Sequence, residues 1–170
     1  MIAVLLFALA AAALAICLYY FVRYPRTPEG VVIYADTDAR QPGKTLTSHR
    51  FSLTGKPDYL LRTPDGAITP VEVKSRSCGA RGPYAGEKAQ LFAYCLLVED
   101  VMGAPVREGI LQYRDRQFRL NFGEPQRREI IALLDEIHAA RNSRQVARDH
   151  HDVRRCQACG IRRSCGEALS

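Results

Sequence analysis

An α/β domain, with a membrane-inserting segment before it and a cysteine-rich segment after it, is the fold class this sequence predicts. Three observations carry that reading. Short β-rich runs alternate with two stretches of helical periodicity between residues 31 and 143. Residues 2–22 contain no charged side chain. Cys156, Cys159 and Cys165 fall within ten residues of one another. The chain has 170 residues, 47% hydrophobic and 25% charged, with a net charge of +6. That is enough for one domain with a proper core, and it excludes a wholly disordered or collagen-like chain.

Ile2 to Val22 would span about 31 Å as a helix, close to the ~30 Å of a hydrocarbon core. No positive n-region precedes it, as a secretory signal would require. Tyr19, Tyr20 and Tyr24 sit at its far end, where aromatic belts form, and Arg23 and Arg26 follow. By the positive-inside rule this pattern predicts a single-pass anchor at 2–22 with the rest of the chain cytoplasmic. Residues 23–30, with Pro25 and Pro28, read as a linker to a domain at 31–143, and 144–170 as a basic tail.

Within the domain, Val31–Ala35 is β-rich and Asp36–Lys44 reads as loop. Leu46–Leu53 is expected as an edge strand. Asp58–Arg62 and Ile68–Lys74 are strand-like runs joined by Pro64-Asp65-Gly66, a hairpin turn signal. Ser75–Pro83 is polar and glycine-bearing, hence a loop. Tyr84–Met102 has helical periodicity, with Leu91, Tyr94, Cys95 and Val98 on one stripe. Gly109–Tyr113 and Arg116–Phe122 form a second hairpin around Arg114-Asp115. Glu124–Asn142 is an amphipathic helix with Pro125 at its start and Ile130, Leu133, Leu134 and Ile137 facing inward.

The first hairpin carries the chemistry. A three-residue turn centred on Asp65 makes antiparallel partners sum to 130, so Asp58 faces Glu72 on one side of the sheet, with Cβ atoms about 5 Å apart. Lys74 shares that side, while Val71 and Val73 point to an opposite, apolar one. A two-residue Asp-Gly turn would sum to 131 and set Asp58 against Val73 instead. Two converged carboxylates repel and are reconciled by a hard divalent cation such as Mg²⁺ or Mn²⁺. Such a cation lowers the pKa of bound water and neutralises charge developing on a phosphate oxygen, while an adjacent amine positions the attacking water or stabilises that charge. Alone, the same residues also fit a surface hairpin with a weak Glu–Lys pair. Gln90 and Tyr94, at i and i+4 on the next helix, share a face that could turn toward the site. Lys74, Arg76, Arg81 and Lys88 surround it with positive charge, as a phosphate-bearing substrate requires. Residues 141–170 add seven arginines against three acids.

Taken in order, Gly55-Lys56-Pro57-Asp58-Tyr59-Leu60-Leu61, Pro70-Val71-Glu72-Val73-Lys74-Ser75, Gln90-x₃-Tyr94 and Cys156-x₂-Cys159-x₅-Cys165 resemble the RecB-like branch of the PD-(D/E)XK nuclease superfamily. Within it the sequence is most similar to the CRISPR-associated exonucleases that carry an iron–sulfur cluster. The resemblance implies a restriction-endonuclease-like αβββαβ core, a mixed sheet flanked by helices, and metal-dependent cleavage of DNA, often of single strands from an end. It implies Asp58 and Glu72 as ligands of Mg²⁺ or Mn²⁺, with the Val73 carbonyl as a third. Lys74 would be the catalytic lysine, and Gln90 and Tyr94 would orient the site and the strand. Cys156, Cys159 and Cys165 would ligate a [4Fe–4S] cluster. Cys78 is the candidate for its fourth ligand, and His150 or His151 could complete a Cys₃His zinc site instead. His49 lies close to Asp58 but on an adjoining strand, so the metal-binding histidine of the family is not transferred to it. The implied partners are DNA, the membrane through residues 2–22, and other DNA-processing proteins, because the chain has no Gly-x₄-Gly-Lys motor motif.

Overall fold

A computed structural model describes residues 10, 13–14, 30–35, 45–143 and 147–170. The anchor expected at 2–22 and the loop at 36–44 therefore lie almost wholly outside the described residues. Among those described, no helix is long and apolar enough to cross a membrane. The chain divides into two compact units, Met1–Ile131 and Ala132–Ser170.

The first unit is built on a five-stranded mixed sheet in the order β1-β4-β5-β6-β7. Its strands are β1 (Val31–Ala35), β4 (Tyr59–Arg62), β5 (Ile68–Lys74), β6 (Glu108–Tyr113) and β7 (Gln117–Asn121). All neighbours pair antiparallel except β5 and β6, which are parallel. A parallel pair needs a crossover, and helix α1 (Ala85–Met102) supplies it. Pro70 is tolerated in central β5 because the ladder with β6 begins one residue later, at Val71 opposite Ile110.

The run expected as one edge strand at Leu46–Leu53 is instead two short strands, β2 (Leu46–Ser48) and β3 (Leu53–Gly55), folded back on each other. The intervening turn is closed by Ser48 Oγ, which accepts the Phe51 N–H at 3.1 Å, and Ser52 takes a left-handed φ of 45°. This hairpin packs against α1, as do β5 and β6. Contact with both the sheet and the hairpin accounts for α1 hiding Leu96 and Leu97 as well as the anticipated Leu91, Cys95 and Val98, leaving no single apolar stripe. Gly109 of β6 lies directly against Leu91: a Cβ there would come within 2.7 Å of Leu91 Cγ.

Helix α2 (Glu124–Asn142) forms over the span expected from its periodicity. Ile130 and Leu134 are buried, but Leu133 and Ile137 are exposed rather than inward-facing. In the second unit both line a cavity of about 640 Å³ together with residues of the tail, including His150, Cys156, Cys159 and Cys165. The tail itself is ordered by capping. Asp152 accepts the Arg154 N–H at 2.8 Å and starts α3 (Val153–Gln157). The Arg148 N–H donates to Glu167 Oε2 at 2.6 Å.

The contact between Gly109 and the fully buried Leu91 has a measurable cost. Gly109→Ala should destabilise the protein by about 1–3 kcal/mol through overpacking, read as a lower urea midpoint at unchanged m. Gly79→Ala, with nothing within 4 Å of the added carbon, should stay within about 0.5 kcal/mol of the parent.

Candidate active site

The turn between β4 and β5 sets the geometry. The Gly66 N–H bonds to the Thr63 carbonyl, and the Thr63 N–H to the Ala67 carbonyl, both at 2.9 Å. Gly66 takes φ +83°, so Pro64-Asp65-Gly66 is the three-residue loop of a type I turn closed by a left-handed residue. The paired residues, from Arg62 opposite Ile68 to Tyr59 opposite Val71, follow the register of a turn centred on Asp65. One step further along, Asp58 and Glu72 meet.

Asp58 immediately precedes β4, so no β4 backbone covers the end of β5 beyond Val71. The Val73 N–H donates instead to Asp58 Oδ2 at 2.7 Å. For the same reason the Val73 side chain is 41% exposed, which corrects the expectation that it joins Val71 in the apolar layer. Glu72 is the reverse case, a carboxylate buried to 7% exposure. Lys74 Nζ donates to Glu72 Oε1 at 2.8 Å and to Gln90 Oε1 at 2.9 Å. An ammonium only donates, so Gln90 must turn its carbonyl to Lys74 and its amide to Tyr94. That amide donates to the Tyr94 hydroxyl at 3.0 Å. One hydrogen-bonded chain thus runs from Glu72 through Lys74 and Gln90 to Tyr94, with Asp58 beside its first member.

The charges interact as their positions require. Burial pushes the Glu72 carboxyl above the ordinary carboxylate value, and the charge of Asp58 adds to that, while Lys74 opposes both. Burial also raises the Tyr94 phenol, the Gln90 amide partly offsetting it.

Several contributors carry no catalytic signature in sequence. Gly55 lets the Tyr94 ring lie on the backbone: a Cβ there would meet Tyr94 Cε1 at 2.8 Å. Glu87 binds Arg76 at 2.7 Å, the Tyr84 N–H at 2.9 Å and the Tyr113 hydroxyl at 2.6 Å, tying loop 75–83 to α1. The signal for Glu87 was available, as a glutamate at the third position of a helix is half of a capping box.

The cysteines are placed differently. Cys78, the expected fourth cluster ligand, is packed with Leu91, Leu111 and Tyr113 in the core of the first unit, its N–H donating to Asp115 Oδ1 at 2.8 Å. It serves there as a small apolar residue. Cys95 is buried in α1, which drives its thiol pKa well up. Cys156, Cys159 and Cys165 line the cavity of the second unit. Among the described residues, however, no three His, Cys, Asp or Glu side chains meet around a point where one ion could sit. His150 Nδ1 is engaged by the Asp152 N–H at 3.2 Å. The tail as arranged does not fit the ligand set of a cluster.

The family model of the PD-(D/E)XK nuclease superfamily matches residues 8–166. This chain belongs to that superfamily. No curated protein matches it in sequence. Among solved structures, that of SSO0001 aligns over 69% of this chain and 52% of its own, with 21% identity and a TM-score of 0.46. The chain spans about half the length of that solved protein. In this nuclease-superfamily member, Asp58 and Glu72 offer a two-carboxylate donor set suited to Mg²⁺ or Mn²⁺, ions that take one or two protein carboxylates and fill the remaining positions with water and phosphate oxygens.

Because Glu72 holds its proton more tightly folded than unfolded, its ionisation opposes folding. The favourable contribution is complete below the ordinary glutamate range and is lost as pH rises through the raised folded value. Glu72→Gln keeps an oxygen for Lys74 and has no proton to lose. In chelator-treated protein its stability relative to the parent should therefore rise from about pH 4 to about pH 7. Thermal melts showing a constant difference across that range would contradict the raised value.

Proposed function

We propose that the protein is a Mg²⁺- or Mn²⁺-dependent deoxyribonuclease that hydrolyses phosphodiester bonds, acting on single strands from an end. The observation that carries the reading is the meeting of Asp58, Glu72 and Lys74 on one side of a hairpin, with Lys74 locked to Gln90. Asp58 and Glu72 would hold the cation, which when bound supplies Lewis-acid activation of water and neutralises phosphate charge. Lys74 has three donor hydrogens, two of them committed to Glu72 and Gln90, so its third is available for the attacking water or a phosphate oxygen. Gln90 and Tyr94 keep the ammonium in place.

On motif order alone the reading extends to the RecB-like branch and to CRISPR-associated exonucleases within it. The uncharged run at 2–22 supports a membrane tether with the nuclease domain on the cytoplasmic side, where other DNA-processing proteins would supply its ends. A bound [4Fe–4S] cluster would require the three thiols to draw together.

The full chain with Mn²⁺ should degrade end-labelled single-stranded DNA. Asp58→Asn and Glu72→Gln should each lower the rate by about three orders of magnitude, and Lys74→Met by about two to three. Mg²⁺ or Mn²⁺ should also raise the melting temperature of the parent but not of Glu72→Gln. DNA binding with no cleavage in either metal would make the protein a non-catalytic nucleic-acid module instead.

A further inference from the structure

Tyr84 is spent in a way that folding does not explain. It occupies the N-cap of α1, in extended conformation at φ −69°, ψ 153°, and its side chain makes no capping bond. Ser, Thr, Asp or Asn would cap that end better. Nor does the ring gain by burial, being 61% exposed.

The ring is nonetheless firmly placed. The Arg76 guanidinium lies 4.8 Å from the Tyr84 ring centre and 5.3 Å from that of Tyr113. Glu87 joins the group from below, bonding to Arg76, to the Tyr84 N–H and to the Tyr113 hydroxyl. Burial raises the Glu87 carboxyl, but these hydrogen bonds outweigh it and hold it below the usual carboxylate range, so the anchor stays charged at neutral pH. The result is an aromatic plate braced by a cation and open to solvent.

Its position relative to the site is set by α1. Glu87 and Gln90 are one helical turn apart, and while Glu87 ties Arg76, Gln90 ties Lys74. Tyr84 precedes Gln90 by six residues, about 9 Å along the helix axis. That offset leaves Tyr84 outside the Glu72–Lys74–Gln90 chain but on the same helix that positions it. Arg81 and Lys88, three residues before and four after Tyr84 in sequence, are exposed and supply positive charge for phosphates.

We infer that Tyr84 is a stacking platform for an unpaired base of the nucleic-acid strand, beside the nucleotide whose bond lies at Asp58 and Glu72. This rests on the nuclease reading above and adds a selectivity element to it. A base inside a duplex has both faces covered by its neighbours, so an open aromatic plate selects single-stranded substrate.

The test is binding of the full chain to a fluorescent single-stranded DNA, read by anisotropy in chelator so that no cleavage intervenes. Tyr84→Ala should weaken binding about tenfold, and Tyr84→Phe should stay within about twofold, because stacking needs the ring and not the hydroxyl. Strands with a single abasic site, scanned along the oligonucleotide, should include one that weakens the parent but not Tyr84→Ala. Equal affinity of the parent and Tyr84→Ala would overturn the platform, as would abasic strands that weaken both proteins alike. Glu72-dependent cleavage beside unchanged Tyr84→Ala binding defeats the platform alone. Ring-dependent binding with no cleavage in Mn²⁺ upholds the platform and defeats the nuclease reading alone.

Discussion

Everything distinctive in this protein depends on two carboxylates forced together by the register of one hairpin. The Pro-Asp-Gly turn closes on three residues, and Gly66 provides the left-handed position that closure requires. Asp58 then arrives at the end of β5 and captures the Val73 N–H, while Glu72 is driven into an almost solvent-free place next to it. A buried carboxylate beside another negative charge is a poor device for stability, and an apolar residue of similar size would serve folding as well or better. Only partial relief comes from Lys74, and the Glu72 carboxyl remains raised. The arrangement makes physical sense as a site waiting for positive charge.

The rest of the first unit acts as a frame for that meeting. Helix α1 packs against β5, β6 and the β2–β3 hairpin. Close approaches fix it further: Leu91 sits on Gly109, and Tyr94 and Leu97 sit on Gly55. From this fixed helix, Gln90 and Glu87 reach across to Lys74 and Arg76, the two basic residues on the same side of β5 and its extension. Each tie leaves a single orientation for its partner. The Gln90 amide has no freedom to flip, because its oxygen must face an ammonium and its nitrogen a phenol oxygen.

Local chemistry was what could be read in advance. The span of β5, the span of α2 and the register around Asp65 all followed from turn residues and periodicity, which are properties of short stretches. So did the convergence of Asp58, Glu72 and Lys74. What escaped was set by neighbours distant in sequence. The division of Leu46–Leu53 depends on a serine-closed turn that reads like any polar pair in a strand. The exposure of Val73 depends on where β4 begins, and the exposure of Leu133 and Ile137 on what lines the cavity in the second unit. Cys78 looked like a ligand because it is a cysteine in a basic loop, yet its surroundings are leucine and tyrosine. Arg76 was expected to add positive charge around the site, yet the structure pairs it with Glu87, whose carboxylate also takes the Tyr113 hydroxyl.

That last pairing changes the electrostatic picture. Four basic residues near the site suggest a strongly positive surface, but Lys74 is matched by Glu72 and Arg76 by Glu87. With its carboxylates ionised, the triad of Asp58, Glu72 and Lys74 carries one net negative charge, which repels a phosphodiester. A divalent ion held between the carboxylates would turn the same triad to one net positive charge. Cation and strand are then linked by thermodynamic necessity, each tightening the other's binding by the same factor. On the nuclease reading, the metal-free site would disfavour the phosphate and leave the strand to groups outside it, such as Arg81, Lys88 and the aromatic face of Tyr84. On that reading the strand would be held by parts of the chain that take no share in breaking it, and the reacting phosphate would be admitted only with the cation in place.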